Sequence, residues 1–229
     1  MTSRITGLSS MATRQLLADL VTAFEQRSGG VVTIESVGGV DAAERVRSGE
    51  SFDVVVLASD AIDRLITAGR IVAGSKVDLV RSGVAIAVRS GAPRPEIGSE
   101  EAVRHAVQCA RSISFSTGPS GVHLARLFER WGMTAEIKDR IVQAPPGVPV
   151  GTLVARGEAE LGFQQLSELM HLPGIDVVGP LPPAIQIITT FSAGLCAGSA
   201  QAEAVRRMLD FMTSPLSAAA VRRNGMEPA

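Results

Sequence analysis

The chain alternates short apolar runs with longer segments of helical periodicity. Residues 4–8 open as an extended stretch, and residues 13–26 (TRQLLADLVTAFEQ) set Leu16, Leu17, Leu20, Val21 and Phe24 on one helical stripe. Ser28-Gly29-Gly30 stops that stripe, and the β-branched run VVTIESV at residues 31–37 predicts a strand. A short helix is expected over 42–47 with Asp41 as its N-cap. The apolar run DVVVL at 53–57 reads as a buried strand, and Ser59-Asp60 as the cap of a helix over 61–68. This strand–helix alternation predicts a parallel sheet covered by helices on both faces.

A long apolar segment follows at 77–88, and after the loop SGAPRPEIGSE a second alternation begins. Helices are expected over 101–109, 120–131, 151–156 and 164–170, with strands over 112–115, 137–142, 160–163 and 176–178. A second long strand is expected at 185–195, and two helices, 202–212 and 215–223, close the chain. The two long strands bracket the middle unit, so the economical arrangement lets the chain cross out and back through them. One lobe is then residues 1–82 with 190–229, and the other, inserted, is 83–189. The expected fold class is α/β, each lobe a mixed sheet flanked by helices, with two crossover strands and a central cleft. Such lobes can close on a ligand by hinge motion.

Composition narrows the function classes. The 229 residues carry 22 Lys+Arg against 23 Asp+Glu, a net charge of −1, which provides no general field for nucleic acid or acidic membranes. Aromatic residues make up only 3%, with no Tyr and a single Trp131, so stacked platforms for single strands or sugars are excluded. No run approaches the length of a membrane span, and direct membrane insertion is not expected. No secretory leader pattern is visible, so the chain as written reads as cytoplasmic, or as periplasmic if a leader has been removed. Cys109 and Cys196 read as two small buried residues.

Catalytic and cofactor signatures are sparse. His105, His123 and His171 show neither HxH nor HExxH spacing, so no metal is expected. The glycine-rich VGGVDAAER is neither a Walker loop nor a dinucleotide fingerprint, and no cofactor is expected. Ser9-Ser10 lacks a G-x-S-x-G elbow. His123, two residues past the Pro119-Ser120-Gly121 turn, could serve as a general base or simply sit on the surface. No catalytic residue is assigned.

Ligands in open α/β sheets bind beyond the carboxyl ends of strands, where helix N-termini present unpaired N–H groups. Four strand-to-helix turns fit: residues 8–13, 37–41, 117–121 and 145–151, all small, hydroxyl-bearing or glycine-rich. Two of them fall in each lobe, and converging helix N-termini favour an anion. The candidate ligand-binding set is Ser9, Ser10, Thr13, Arg14, Gly38, Gly39, Val40, Thr117, Ser120, Gly121, Val148, Gln164 and Gln165.

The stretches ITGLSSMATRQLLADLVTAFEQRSG, SVGGVDAAERVRSGESFDVVVLASDAIDRLITAGRI, STGPSGVHLARLFERWGM, GTLVARGEAELGFQQLSEL and MTSPLSAAAVRRNGM resemble the molybdate-binding proteins of ABC importers. The resemblance spans essentially the whole chain and implies the two-lobed type 2 periplasmic-binding-protein fold. It also implies a small-molecule anion as ligand and the membrane subunits of an importer as partners. That family holds molybdate with hydroxyls and amides from its first two turns, then with its P-x-G turn, a later loop and a Tyr. Here Ala12 stands at the liganding serine, Gly38-Gly39-Val40 replace the second serine cluster, and Gln165, beside Gln164, stands at the tyrosine. Ser120 matches the P-x-G turn, and Arg14 stands where small polar residues are usual.

A guanidinium grips planar carboxylates bidentately, so these departures favour a small carboxylate over a tetrahedral oxyanion. Arg14 could equally be solvated on the outer helix face, and the two glutamines could merely cap the next helix. The first function class is a solute-binding protein for a small anion in an ABC-importer-like role. The alternative is an enzyme on the same fold, an isomerase of an unsaturated di- or tricarboxylate such as aconitate.

Overall fold

The computed structural model describes residues 4–145 and 147–229, so Pro146 of the fourth turn lies outside the described residues. The chain divides into two compact units, residues 1–81 with 190–229, and residues 82–189.

In the first unit, β1 (Arg4–Ser10) pairs in parallel with β2 (Val31–Val37) on one side and β3 (Val54–Ala58) on the other. Strand β8 (Ile188–Leu195) runs antiparallel along the far side of β3. Alternation along these strands explains why β3 is apolar throughout. Ile5, Val54 and Val56 point to one face, under helices α1 (Arg14–Ser28), α9 (Ala202–Met212) and α10 (Ala218–Arg223). Leu8, Val55 and Leu57 point to the other, under α2 (Gly39–Arg47) and α3 (Ser59–Thr67). Gly7 lets β1 lie close to β3, since a Cβ there would stand 2.9 Å from Val54 Cγ1. Asp53 fastens the start of β3. Its carboxylate accepts from Thr6 N–H at 2.8 Å, Thr6 Oγ1 at 3.0 Å and Ser199 Oγ at 2.6 Å.

In the second unit, β4 (Val77–Arg89) lies between β6 (Leu161–Gln165) and β7 (Ile175–Pro180), both antiparallel to it. Strand β5 (Ile113–Phe115) adds in parallel outside β6. Val84, Ile86, Leu161 and Phe163 share a core with α4 (Glu100–Cys109) and α5 (Pro119–Arg130). The opposite face is built for close approach. Ala85 and Ala87 meet Leu169 of α8 (Leu166–Leu169), and Gly162 faces α7 (Val150–Ala155). A Cβ on Gly162 would come within 2.5 Å of Val154 Cγ2.

Several expected elements shift. β1 runs two residues further than expected, so Ser9 and Ser10 end a strand and are not turn residues. Asp41 is not the cap of α2. That helix starts at Gly39 with Gly38 as N-cap, because two glycines leave nothing to obstruct an earlier start, and Asp41 lies in the first turn. Ser59 and Asp60 likewise begin α3, with Ala58 as its N-cap. The strand expected at 137–142 is replaced by α6 (Thr134–Ile137) and a 3-10 turn at Lys138–Arg140, leaving one bridge from Ile141 to Ile113. Tertiary contacts override the β-branched pattern there. Ile137 is fully buried, and Arg140 donates to the carbonyls of Val107, Gln108 and Ala110 at the end of α4. The closing strand β9 (Met226–Pro228), which pairs β4, was not expected at all.

Phe128 sits at the centre of an aromatic cluster, its ring centroid 5.8–5.9 Å from those of Phe115, Trp131 and Phe163. Phe128→Ala is expected to cost about 3–5 kcal/mol in urea unfolding, the range for a buried aromatic truncated to leave a cavity. A cost under about 1 kcal/mol would show that this cluster does not hold the second unit together.

Candidate functional site

In the first unit, the parallel register aligns the carboxyl ends of β1, β2 and β3. Ser9 of β1 lies opposite both Ser36 of β2 and Val56 of β3. Strand β1 leads through a 3-10 turn at Met11–Thr13 into α1, whose first N–H, that of Arg14, donates to Met11 O, and α2 opens at the same end; neither helix carries a side-chain cap. Ser9 is fully buried, and its Oγ lies 2.8 Å from Ser36 Oγ and donates to Ser10 O. Thr13 is also buried, and its hydroxyl donates to Ser10 O at 3.1 Å. Ser10 differs from both. It is 94% buried, yet its Oγ has no hydrogen-bond partner. Such a group costs about 1–3 kcal/mol unless something completes it. Gly39 stands beside it, where an added Cβ would sit 3.5 Å from Ser10 Cβ. Arg14 is exposed at the first position of α1, and Gly38 is half-buried. Val40, in the first turn of α2, is 58% exposed.

The second unit presents a different donor set. Helix α5 begins at Pro119 with Gly118 as an extended, uncapped N-cap. Thr117 is exposed and Ser120 is buried in the first turn. Gly121 has a packing role, since a Cβ there would fall 1.7 Å from the Ser116 carbonyl oxygen. Val148 is tied into its own loop, its N–H donating to Pro145 O at 3.0 Å.

The two glutamines end strand β6 and are both buried, and neither caps α8 with its side chain. Gln164 bridges two elements. Its Oε1 accepts from Val150 N–H at the start of α7 (2.9 Å), and its Nε2 donates to Glu168 Oε2 (2.7 Å). Gln165 Nε2 donates to Thr189 Oγ1 at 2.8 Å, while its Oε1 is buried without a partner. Ser167 Oγ is unpartnered as well. Burial pushes the Glu168 carboxyl up to about 7, against the smaller opposing pull of the Gln164 hydrogen bond.

Sequence reasoning missed Ser36, Glu168 and Thr189. The i, i+4 spacing of Gln164 and Glu168 was available as a signal, whereas the strand-to-strand contacts were not. His123 is exposed. The expectation of two buried cysteines is corrected. Cys196 is buried, its thiol pushed up to about 12 by desolvation and then by Asp53, but Cys109 is exposed on α4 with its Sγ 3.5 Å from His105 Nε2. The i, i+4 geometry of α4 turns Cys109 away from the core face formed by Val103, Ala106 and Val107. Among the described residues, no group of three or more His, Cys, Asp or Glu could hold a metal, and no helix is long and apolar enough to cross a membrane.

Each unit is a sheet flanked by helices, and the chain has the α/β fold of the type 2 periplasmic binding proteins. The chain belongs to the bacterial extracellular solute-binding protein family, whose profile matches residues 5–227. It is 37% identical to an aconitate isomerase of Pseudomonas sp over 232 aligned positions, covering 98% of this chain and 87% of that one. Among solved structures, it matches the Azotobacter vinelandii periplasmic molybdate-binding protein with a TM-score of 0.81 at 19% identity, over 98% of this chain and 99% of that one. It also matches the sulfate-binding protein of Mycobacterium tuberculosis H37Rv, with a TM-score of 0.80 at 15% identity over 99% and 87% of the two chains.

The folded protein keeps the Glu168 proton to about pH 7, whereas an ordinary Glu carboxyl releases it near 4.5. The native state therefore binds more protons than the unfolded chain in that window, and stability is lost as pH rises through it. The loss is about 3 kcal/mol at full effect. Urea unfolding at pH 5 and pH 8 is expected to show Glu168→Gln removing most of this fall. An identical fall in both proteins would contradict the assignment.

Proposed function

We propose that the protein binds a small polycarboxylate as a solute-binding protein of the ABC-importer type. The observation that carries this reading is the unpartnered, buried Ser10 hydroxyl beside the uncapped N-termini of α1 and α2, with Arg14 at the head of α1. Helix N-termini stabilise negative charge through oriented N–H groups, and Arg14 adds a fork that matches a carboxylate. Ala12 and Gly38-Gly39-Val40 stand where the molybdate binders present serines, which removes hydroxyl donors suited to a tetrahedral oxyanion. Importer membrane subunits are the partner this role implies, in a periplasmic setting.

A second reading is favoured by the relative named aconitate isomerase, which is much nearer in sequence than the structural matches quoted above. In that reading, the same carboxylate-holding groups bind an unsaturated tricarboxylate while the double bond is moved.

A thermal-shift series tests the shared core of both readings. At equal concentration, citrate and trans-aconitate are expected to raise the melting temperature more than molybdate, tungstate or sulfate. The reverse ranking would sink the carboxylate proposal. Arg14→Ala is expected to weaken carboxylate binding about 10–100-fold, as befits loss of a charge-assisted hydrogen bond of about 1.5–3 kcal/mol. Unchanged binding would remove Arg14 from the site.

A further inference from the structure

Two consecutive serines at the end of β1 have opposite fates. Ser9 lies opposite Ser36 of β2, and their hydroxyls meet at 2.8 Å. Ser10 lies opposite Val37, whose side chain has no polar atom. The Ser10 carbonyl accepts from Ser9 Oγ and Thr13 Oγ1, yet its own Oγ is buried without a partner. The residue that stands beside it from the next helix is Gly39, the first residue of α2.

Neither backbone nor packing calls for glycine at this position. Gly39 is helical and has none of the positive φ that Gly29 supplies at the end of α1. Gly121 and Gly151 also lie inside helices, but there a Cβ would come within 1.7 Å of the Ser116 carbonyl oxygen and 2.6 Å of Leu172 Cδ1. Beyond its own stretch of chain, a Cβ on Gly39 would have only Ser10 Cβ within 4 Å, at an ordinary contact distance of 3.5 Å. Alanine suits a helix better than glycine does, so this glycine weakens α2 while sparing no clash. It does so next to a buried hydroxyl whose isolation also costs stability.

The N–H groups of Gly39, Val40 and Asp41 begin α2 without an acceptor inside the helix, and no side chain caps them. Asp41 is exposed and gives Ser10 no acceptor. The hydroxyl and the helix N–H groups are all donors, and an anion's oxygens complete donors. Resting on the carboxylate-site reading above, we infer that Gly39 is a specificity-determining residue of that site. Carrying no side chain, it withholds a partner from Ser10 and leaves the space beside the hydroxyl to an anion borne on a carbon skeleton. A serine at this position would bring its hydroxyl within reach of Ser10 Oγ and repeat the Ser9–Ser36 pair, closing the site from within. A methyl group would fill the space without pairing.

The test uses the intact chain, with calorimetric titration of citrate, trans-aconitate, molybdate and sulfate and with melting of the unliganded protein. Gly39→Ala and Gly39→Ser are each expected to weaken citrate and trans-aconitate binding by at least about tenfold, the loss of one charge-assisted hydrogen bond. The preference over molybdate and sulfate narrows accordingly. Without ligand, Gly39→Ala is expected to melt no lower than wild type, and Gly39→Ser higher than Gly39→Ala. Combined with Ser10→Ala, the gain of Gly39→Ser over Gly39→Ala is expected to vanish, which marks the new hydroxyl as the partner of Ser10. Polycarboxylate binding within about threefold of wild type in both variants would overturn the inference. So would a gain that survives Ser10→Ala, or melting of both variants below wild type, which would make Gly39 a requirement of the fold. A wild-type protein that prefers molybdate or sulfate overturns the carboxylate reading instead, and the ligand-free melting series then decides whether Gly39 keeps Ser10 unpaired. A wild-type protein that binds none of the four anions overturns the site and the role of Gly39 together.

Discussion

The parallel register of β1 between β2 and β3 is the constraint on which the rest of the first unit depends. It sends all three strands toward one edge, so their three connections turn into α1, α2 and α3 at the same end. Burial fixes that register, because a one-residue slip would carry Ile5, Val54 and Val56 out of one core and Leu8, Val55 and Leu57 out of the other. Asp53 reinforces it by binding both the N–H and the hydroxyl of Thr6. Ser9 and Ser36 are thereby brought together and satisfy one another, whereas the buried Ser10 hydroxyl has no protein partner. Apolar packing in the strands thus dictates where the unpaired hydroxyl falls.

The near-zero net charge gives this local arrangement its meaning. With no long-range field to attract an anion, the proposed recognition rests on a few local donors: helix N–H groups, hydroxyls and one guanidinium. Glycine contributes by absence. At Gly39 it leaves room next to Ser10, and at Gly121 it permits the first turn of α5 to rest directly on the Ser116 carbonyl. In the second unit, Gln165 stands where the resemblance to the molybdate binders implies a tyrosine, and its Nε2 donates to Thr189 Oγ1.

Much of the architecture was legible because it rests on local pattern. The short β-branched run DVVVL reads as a buried strand, and Leu16, Leu17, Leu20 and Phe24 form a stripe at helical spacing. Residues 137–142 misled because their β-branched character is a weak preference, outweighed by burial of Ile137 and the Arg140 contacts to the end of α4. The site was partly legible. Ser10, Arg14 and the glycines were visible as types in a turn, but the isolation of the Ser10 hydroxyl depends on Ser9 pairing with Ser36 from another strand. Glu168 was hidden for a similar reason. The i, i+4 spacing of Gln164 and Glu168 could flag the pair, but the burial that raises the Glu168 carboxyl is not written in local spacing.

The central claim is that the buried Ser10 hydroxyl is completed by a carboxylate. A crystal structure of the wild-type protein grown with trans-aconitate tests it most directly. The expected result is a ligand carboxylate oxygen about 2.7 Å from Ser10 Oγ, with the Arg14 guanidinium paired to the same ligand. A ligand bound elsewhere, with Ser10 Oγ touching neither it nor any of its oxygens, would contradict the claim.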